Sequence, residues 1–341
     1  MTPAEDRYAG CLVGQCVGDA VGFPVEGSSA AICRAHADAV LLQGAIPDAA
    51  RGGFPFGQIS DDSQLARELA LSMAERHRFD PADYAGRIRD MFASGRIVGG
   101  GWATAQAAAK LAEGAAWTVS GTPPPNAGNG SAMRAAPVGL AFFDDPDALI
   151  AVACDQGRIT HADPRCSAGA VAIAGAVALA VALDERRWET SAVVAVLATW
   201  ANRVDRRVGD AVTALPAILP LPPHEALVAI EAVAEPDVSP TGTGVSPFVT
   251  TSVVWSLYAF LRSPDDFRQC LHTAIAIGGD VDTTGAMTGA MAGARNGLAA
   301  IPRPLAERIE DRGAWRLNDW LDLAGRLSRH CVRPAEGSHW R

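Results

Sequence analysis

Positive charge is scarce in this sequence, and lysine most of all. The 341 residues carry 29 Lys and Arg against 38 Asp and Glu, a formal charge of −9 at pH 7, and Lys110 is the one lysine. Proteins held on nucleic acid by phosphate neutralisation need the opposite sign, so no stable nucleic-acid partner is expected. Arginine in place of lysine, with abundant Ala, Gly and Pro, points to a high-GC bacterial genome before it points to any function.

Cysteine is thinly spread. The seven residues Cys11, Cys16, Cys33, Cys154, Cys166, Cys270 and Cys331 are odd in number and contain no C-x-x-C pair. That argues against a disulfide framework or a thiolate zinc site and fits a reducing cytosol. The seven histidines form no i,i+4 pair, which removes the H-E-x-x-H metalloprotease pattern, and no G-x-S-x-G elbow is present. The start MTPAEDRYAGC puts Cys11 where a lipoprotein would have its cysteine, but no basic stretch or apolar run precedes it. A cytoplasmic protein with no membrane partner is expected.

Long apolar runs are also few. One candidate, SAGAVAIAGAVALAVAL from Ser167 to Leu183, is 17 residues long, at the lower limit for spanning a bilayer, and lies between charged flanks. It reads as a buried core helix.

Strand-like alternation is scarce too, and what remains is helical periodicity from end to end. Candidate helices run over 9–21, 62–76, 83–92, 103–113, 146–159, 166–183, 189–201 and 208–215, then 223–235, 248–262, 267–277, 282–299, 304–312 and 315–329. Gly/Pro/Asn-rich stretches over 51–57, 99–101, 122–130 and 236–247 have loop chemistry, but none is long or charged enough to be an interdomain linker. No repeat of solenoid period occurs. The expectation is an all-α fold in a single compact multi-helix domain, although length alone would suggest two domains.

The segment from Asp282 carries Gly285, Gly289, Gly293 and Gly297, which line one face of a helix. Each glycine costs helix stability by about 1 kcal/mol against alanine, so four on one face imply close backbone approach to another helix or to a ligand. Arg295 and Asn296 argue against a membrane dimerisation face.

Two acidic clusters carry most of the chemical signal. QISDDSQ holds Asp61 and Asp62 and IGGDVDTTGA holds Asp280 and Asp282, each at a loop-to-helix junction. Taken singly, either is accounted for by helix capping, because Ser60 and Asp282 suit an N-cap and carboxylates in a first turn complement the helix dipole. Taken together, four aspartates with the hydroxyls of Ser60 and Thr283 form a hard-oxygen ligand set that two divalent cations, Mg²⁺ or Mn²⁺, would neutralise.

With these clusters stand GCLVGQCVGDAVGFPVEG near the start, GNGSAMRAAPVG and THADPRC in the middle, and AIAIGGDVDTTGAMTGAMAGARNG near the end. In this order, over roughly residues 8–300, they resemble the ADP-ribosylglycohydrolase family, which includes the dinitrogenase-reductase-activating glycohydrolases. The resemblance implies a compact all-α fold and a two-metal site that hydrolyses a bond to C1″ of ADP-ribose. It implies metal ligation by Ser60, Asp61, Asp62, Asp280, Asp282 and Thr283. Two departures occur: Ser60 stands where threonine is usual, which keeps the hydroxyl, and Val281 where threonine is frequent, which removes no carboxylate.

The resemblance also places Glu26 where some members carry a mobile catalytic glutamate, and gives it a catalytic role beside Asp61 and Asp62. On residue chemistry alone a glutamate after a Pro-containing turn is an exposed side chain. Asp19, inside an apolar stretch, is either a buried structural hydrogen-bonder or a support for the metal ligands. Gly99, Gly100 and Gly101 precede a helix, whose free N–H groups suit a pyrophosphate, or else they are a flexible turn. Asn129 and Gly130 match a segment that contacts ADP-ribose in the family, flanked by Asn126, Gly128 and Ser131. His161 matches a residue at the substrate, although an isolated histidine is commonly structural.

The expected activity is therefore metal-dependent hydrolysis of the glycosidic bond between ADP-ribose and an acceptor, with an ADP-ribosylated protein or other acceptor as substrate and ADP-ribose as product. Arginine-linked members tend to carry an acid just before GNG, and PPPNAGNG has none, so the acceptor stays open. Two other readings remain: a non-catalytic ADP-ribose binder on the same fold, and a two-metal phosphohydrolase acting on a pyrophosphate.

Overall fold

Two rows of glycine decide how the chain closes on itself. In the computed structural model, which describes residues 2–235 and 244–331, the N-terminal helix Pro3–Gly22 lies antiparallel against the helix Val281–Asn296. Gly10, Gly14 and Gly18 of the first face Gly293, Gly289 and Gly285 of the second so closely that added Cβ atoms would stand 2.2, 2.3 and 1.9 Å from the opposing carbonyl oxygens. Any side chain there forces the backbones apart. The close approach expected for the Gly285 face is thus met by a second glycine row at the same four-residue spacing.

This pairing sets the site. It brings the end of the first helix, at Gly22, against Val281 and Asp282 at the start of the other, where a Cβ on Gly22 would lie 2.5 Å from Asp282 Cα. The loop after Gly22, which carries Glu26, therefore starts beside the second acidic cluster.

Around this pair helices dominate the described residues. One two-stranded ribbon, Glu310–Asp311 with Trp315–Arg316, stands where helix was expected over 304–312 and at the start of 315–329. Asp311 drives the difference: buried, it accepts from Arg67, Gln64 and Gln58 at 2.6, 2.8 and 3.3 Å, and ties the ribbon to the helix Asp61–Arg76. Arg312 and Gly313, with φ of 52° and 79°, then turn the chain back.

The apolar segment read as a core helix spans Pro164–Ala182, capped by Asp163, and 89% of its most apolar window is buried. It is long and apolar enough to cross a membrane, but the fold already covers that surface. Short helices that periodicity did not reveal include Ala30–Ala37 and Ala136–Ala141. The second contains Pro137 and Gly139, which read as breakers, but the proline lies in the first turn and Gly139 sits against Ala174 O, 2.3 Å from where a Cβ would be. A single hydrophobic cluster runs from Tyr8 to Leu327. Six cysteines, from Cys11 to Cys270, are free and buried. The expected loop over 236–247 lies mostly outside the described residues, as does the chain after 331.

Candidate active site

A cleft of about 570 Å³ opens at the helix starts that the two glycine rows and the acidic motifs bring together. Ser60 is the N-cap of the helix Asp61–Arg76, and its Oγ accepts from the Asp62 backbone. Asp61 N donates to Val98 O at 2.7 Å, and Gln64 Oε1 accepts from Val98 N at 2.9 Å, so this helix carries the 96–101 loop with it. The fully buried Asp19 accepts from Ser60 N through both oxygens at 3.0 Å and from Ser63 N at 3.2 Å. Its carboxylate fixes the backbone under the first cluster without lining the cleft, which favours the supporting role over a simple core bond.

On the opposite side Gly278 and Gly279, both with φ of 85°, make a turn that knits three loops together. Gly27 N donates to Gly279 O, Val245 N to Gly278 O and Asp280 N to Val245 O, at 2.8, 2.9 and 2.9 Å. Asp280 is the N-cap of the following helix and Asp282 lies in its first turn, inside the N-cap place that capping chemistry offered it. The carboxylates converge all the same: one oxygen each from Glu26, Asp280 and Asp282 lie within 4.8 Å of one another, a group that could hold a metal ion. Asn129 Nδ2 donates to Asp280 Oδ2 at 2.6 Å and joins the GNG loop to this cluster.

The electrostatics of the floor are unfavourable without a cation. Burial first, then mutual repulsion, drives the Asp62 and Asp282 carboxyls well above the usual range and raises Asp280. The same causes push Asp61 up to about 7, although an N–H from Gly101 at 3.4 Å relieves it. Asp62 Oδ2 accepts from Ser60 Oγ at 2.8 Å, while Asp62 Oδ1 is buried without a hydrogen-bond partner. Among the described residues lining the cleft there is no lysine or arginine. Carboxylates packed this way, with an orphaned oxygen and hard donors throughout, fit divalent cations.

The remaining candidates fall into three groups. Glu26, Asp61, Asp62, Gly99, Gly101, Asn126, Gly128, Asn129, Gly130, His161, Asp280, Asp282 and Thr283 all line the cleft. Ser60 lies just under the floor, fully buried on Asp62. Gly100 and Ser131 do not line it: a Cβ on Gly100 would meet Ile97 and Phe92 at 3.1 Å, and Ser131 Oγ donates to Cys166 O at 2.8 Å.

His161 is held by a buried relay. Arg134 Nη2 donates to Thr160 Oγ1 at 2.7 Å, and Thr160 Oγ1 lies 2.8 Å from His161 Nδ1. Burial, reinforced by the Arg134 charge, pushes the imidazole down to about 3, so it stays neutral at pH 7. With the threonine hydroxyl donating to Nδ1, the proton sits on Nε2, beside Gly128 and Gly130, where a Cβ would stand 3.5 and 3.2 Å from that nitrogen.

Sequence reasoning did not single out Trp102, Thr104, Met133, Glu235, Ser246, Pro247 or Phe248, which also line the cleft. Trp102 is 63% exposed on the rim, and its only signal was its place after three glycines. Phe248 packs under the Arg165 guanidinium, 5.1 Å from the ring centroid. Glu235 Oε1 accepts from Ser246 Oγ at 3.0 Å and from Thr251 Oγ1, so an acid reaches the cleft from outside the GNG motif.

Residues 1–336 match the profile of the ADP-ribosylglycohydrolase family. The chain is 30% identical over 322 residues to an uncharacterized protein of Archaeoglobus fulgidus, covering 90% of this chain and 93% of that one. It is 28% identical to the ADP-ribosylhydrolase ARH3 of Mus musculus, over 89% of this chain and 87% of the other. To the ADP-ribosyl-[dinitrogen reductase] glycohydrolase of Rhodospirillum rubrum it is 27% identical, over 90% and 91%. A solved structure described as an ADP-ribosylglycohydrolase-related protein complex superposes with a TM-score of 0.71 at 26% identity, covering 97% of this chain and all of that one.

Proposed function

Since the chain belongs to the ADP-ribosylglycohydrolase family, we propose that it is a divalent-metal-dependent hydrolase that cleaves the glycosidic bond between C1″ of ADP-ribose and an acceptor. The observation that carries this reading is the convergence of Asp61, Asp62, Asp280 and Asp282 with Glu26 in one cleft that has no lysine or arginine among its described lining residues. A pure binder of an anionic ligand has no use for such a floor, whereas a metal-assisted hydrolase does.

Asp61, Asp62, Asp280 and Asp282, with the hydroxyls of Ser60 and Thr283, would hold two ions of the Mg²⁺ or Mn²⁺ class. Such ions, when bound, supply charge neutralisation and polarise a vicinal ribose diol and a water. In the reaction the bond from C1″ to the acceptor breaks, water oxygen bonds to C1″, and one water proton ends on the acceptor. Glu26, at the cleft edge beside Asp280 and Asp282, would move that proton at its carboxylate while positive charge develops at the anomeric centre. The neutral His161 would offer its Nε2–H, and Gly99, Gly101, Gly128 and Gly130 their close backbone, to the diphosphate. Trp102 and Phe248 present flat faces of the kind on which a nucleobase stacks.

The test is a panel of arginine-, serine- and nucleobase-linked ADP-ribose incubated with the purified protein in Mg²⁺, Mn²⁺ or EDTA. Release of free ADP-ribose that stops in EDTA is expected. EDTA-insensitive release removes the metal from the proposal, AMP as product replaces it with a phosphohydrolase, and tight binding without turnover reduces the protein to a binder.

A further inference from the structure

The turn that presents Glu26 is gripped at both ends by one residue that none of the acidic motifs contains. Arg51 sits in the loop after Pro47, where an Ala49–Pro55 bridge and the glycines Gly52 and Gly53, with φ of 68° and 80°, fold the chain back toward the cleft. Its Nη1 donates to Glu26 Oε2 in an ion pair. Its guanidinium also lies over the Phe23 ring, 5.4 Å from the centroid, and Phe23 is buried and packed on Phe54 with ring centroids 6.3 Å apart. Phe23 opens the single 3₁₀ turn Phe23–Val25 that ends at Glu26. One planar, fixed charge therefore holds a ring at the start of the turn and the carboxylate at its end.

The charge matters as much as the grip. Glu26 approaches Asp280 and Asp282 to within 4.8 Å, oxygen to oxygen, and three carboxylates so close repel one another. A guanidinium paired with Glu26 Oε2 offsets that repulsion.

We propose that Arg51 is a positioning residue that holds the Glu26 carboxylate at the reacting bond. The pair is half exposed, 48% for Arg51 and 35% for Glu26, and exposed pairs of this kind add little to stability. Its effect on the rate is larger, since a misplacement of about 1 Å of a reacting group can cost on the order of 10²-fold. The inference rests on the glycohydrolase reading with Glu26 as acid or base.

A double-mutant cycle tests it. Turnover of the best ADP-ribosylated substrate is measured in saturating Mn²⁺ for wild type, Arg51→Ala, Glu26→Gln and the double variant, with melting temperatures alongside. Arg51→Ala is expected to lower kcat by about tenfold, with KM and melting temperature nearly unchanged. In the Glu26→Gln background it should cost nothing further, and Arg51→Lys, which keeps the charge but not the planar stack, should recover part of the loss. An undiminished kcat in Arg51→Ala, or the same loss in the Glu26→Gln background, overturns the positioning role alone. Full activity of Glu26→Gln, or no turnover by wild type on any substrate, overturns the acid/base reading and this proposal with it.

Discussion

The floor and the rim of the cleft are built by opposite means. The floor consists of carboxylates at two helix starts, one fixed by the buried Asp19 and the other by the glycine pairing against Gly10, Gly14 and Gly18. The rim consists of loop side chains, Glu26 on Arg51, Trp102 in the open and Glu235 on Ser246. The floor is thus electrostatically strained but held by backbone packing, whereas the rim depends on individual side-chain contacts, of which the Arg51 ion pair offsets the charge of Glu26. Rigidity where charge is concentrated is what a site needs if its geometry is to persist before the counter-charge arrives.

Breaking the floor should have the largest effect. Asp282→Ala removes a proposed metal ligand, and activity is expected to fall by about 10³-fold or more while circular dichroism stays wild-type. Near wild-type turnover would show that the site lies elsewhere.

The glycine pairing comes next. Gly18→Ala would place a Cβ 1.9 Å from Gly285 O, backbone against backbone, and should destabilise the protein by about 3 kcal/mol or prevent folding. Gly86, within the helix Pro81–Ala93, is its control, because a Cβ there meets only the flexible end of Arg89 at 3.9 Å. Gly86→Ala should stabilise by about 1 kcal/mol. Chemical denaturation reads both, and equal effects would remove the distinction between packed and incidental glycines.

The open part of the rim, away from Glu26, should respond least. Trp102→Ala is expected to raise KM a few-fold with kcat almost unchanged, the mark of a contact made equally in ground and transition states. A comparable loss in kcat would move Trp102 from the rim into the chemistry.

The same contrast explains what was legible in the sequence. The floor is written in local patterns: Asp61–Asp62 after Ser60, the double glycine before Asp280, and glycines every fourth residue, each dictated by a helix start or a helix face. The partner of the glycine face was harder to see, since Gly10, Gly14 and Gly18 lie among valines and cysteines that read as an ordinary core helix. The rim was mostly illegible. Glu235 and Phe248 reach the cleft, and Arg51 reaches Glu26, through tertiary contacts between loops far apart in sequence, and nothing in their neighbours announces it. Asp311 was hidden for the same reason, because its three buried donors come from residues about 250 positions earlier.

If the floor needs divalent cations, the stability of the metal-free protein must follow the titration of its aspartates. Buried aspartates whose pKa is raised in the folded state stabilise the metal-free protein below about pH 4, and this contribution is lost as pH rises through about 7 and above. His161 works in the opposite sense, its contribution present above about 6.5 and lost as pH falls toward 3, so it is constant in the upper range. Melting temperatures in EDTA and in saturating Mn²⁺ should therefore be compared at about pH 6.5 and about pH 8.5. The metal-free protein is expected to melt lower at the higher pH, and the gap opened by Mn²⁺ to widen there. A melting temperature indifferent to Mn²⁺ at both values would contradict the need for cations.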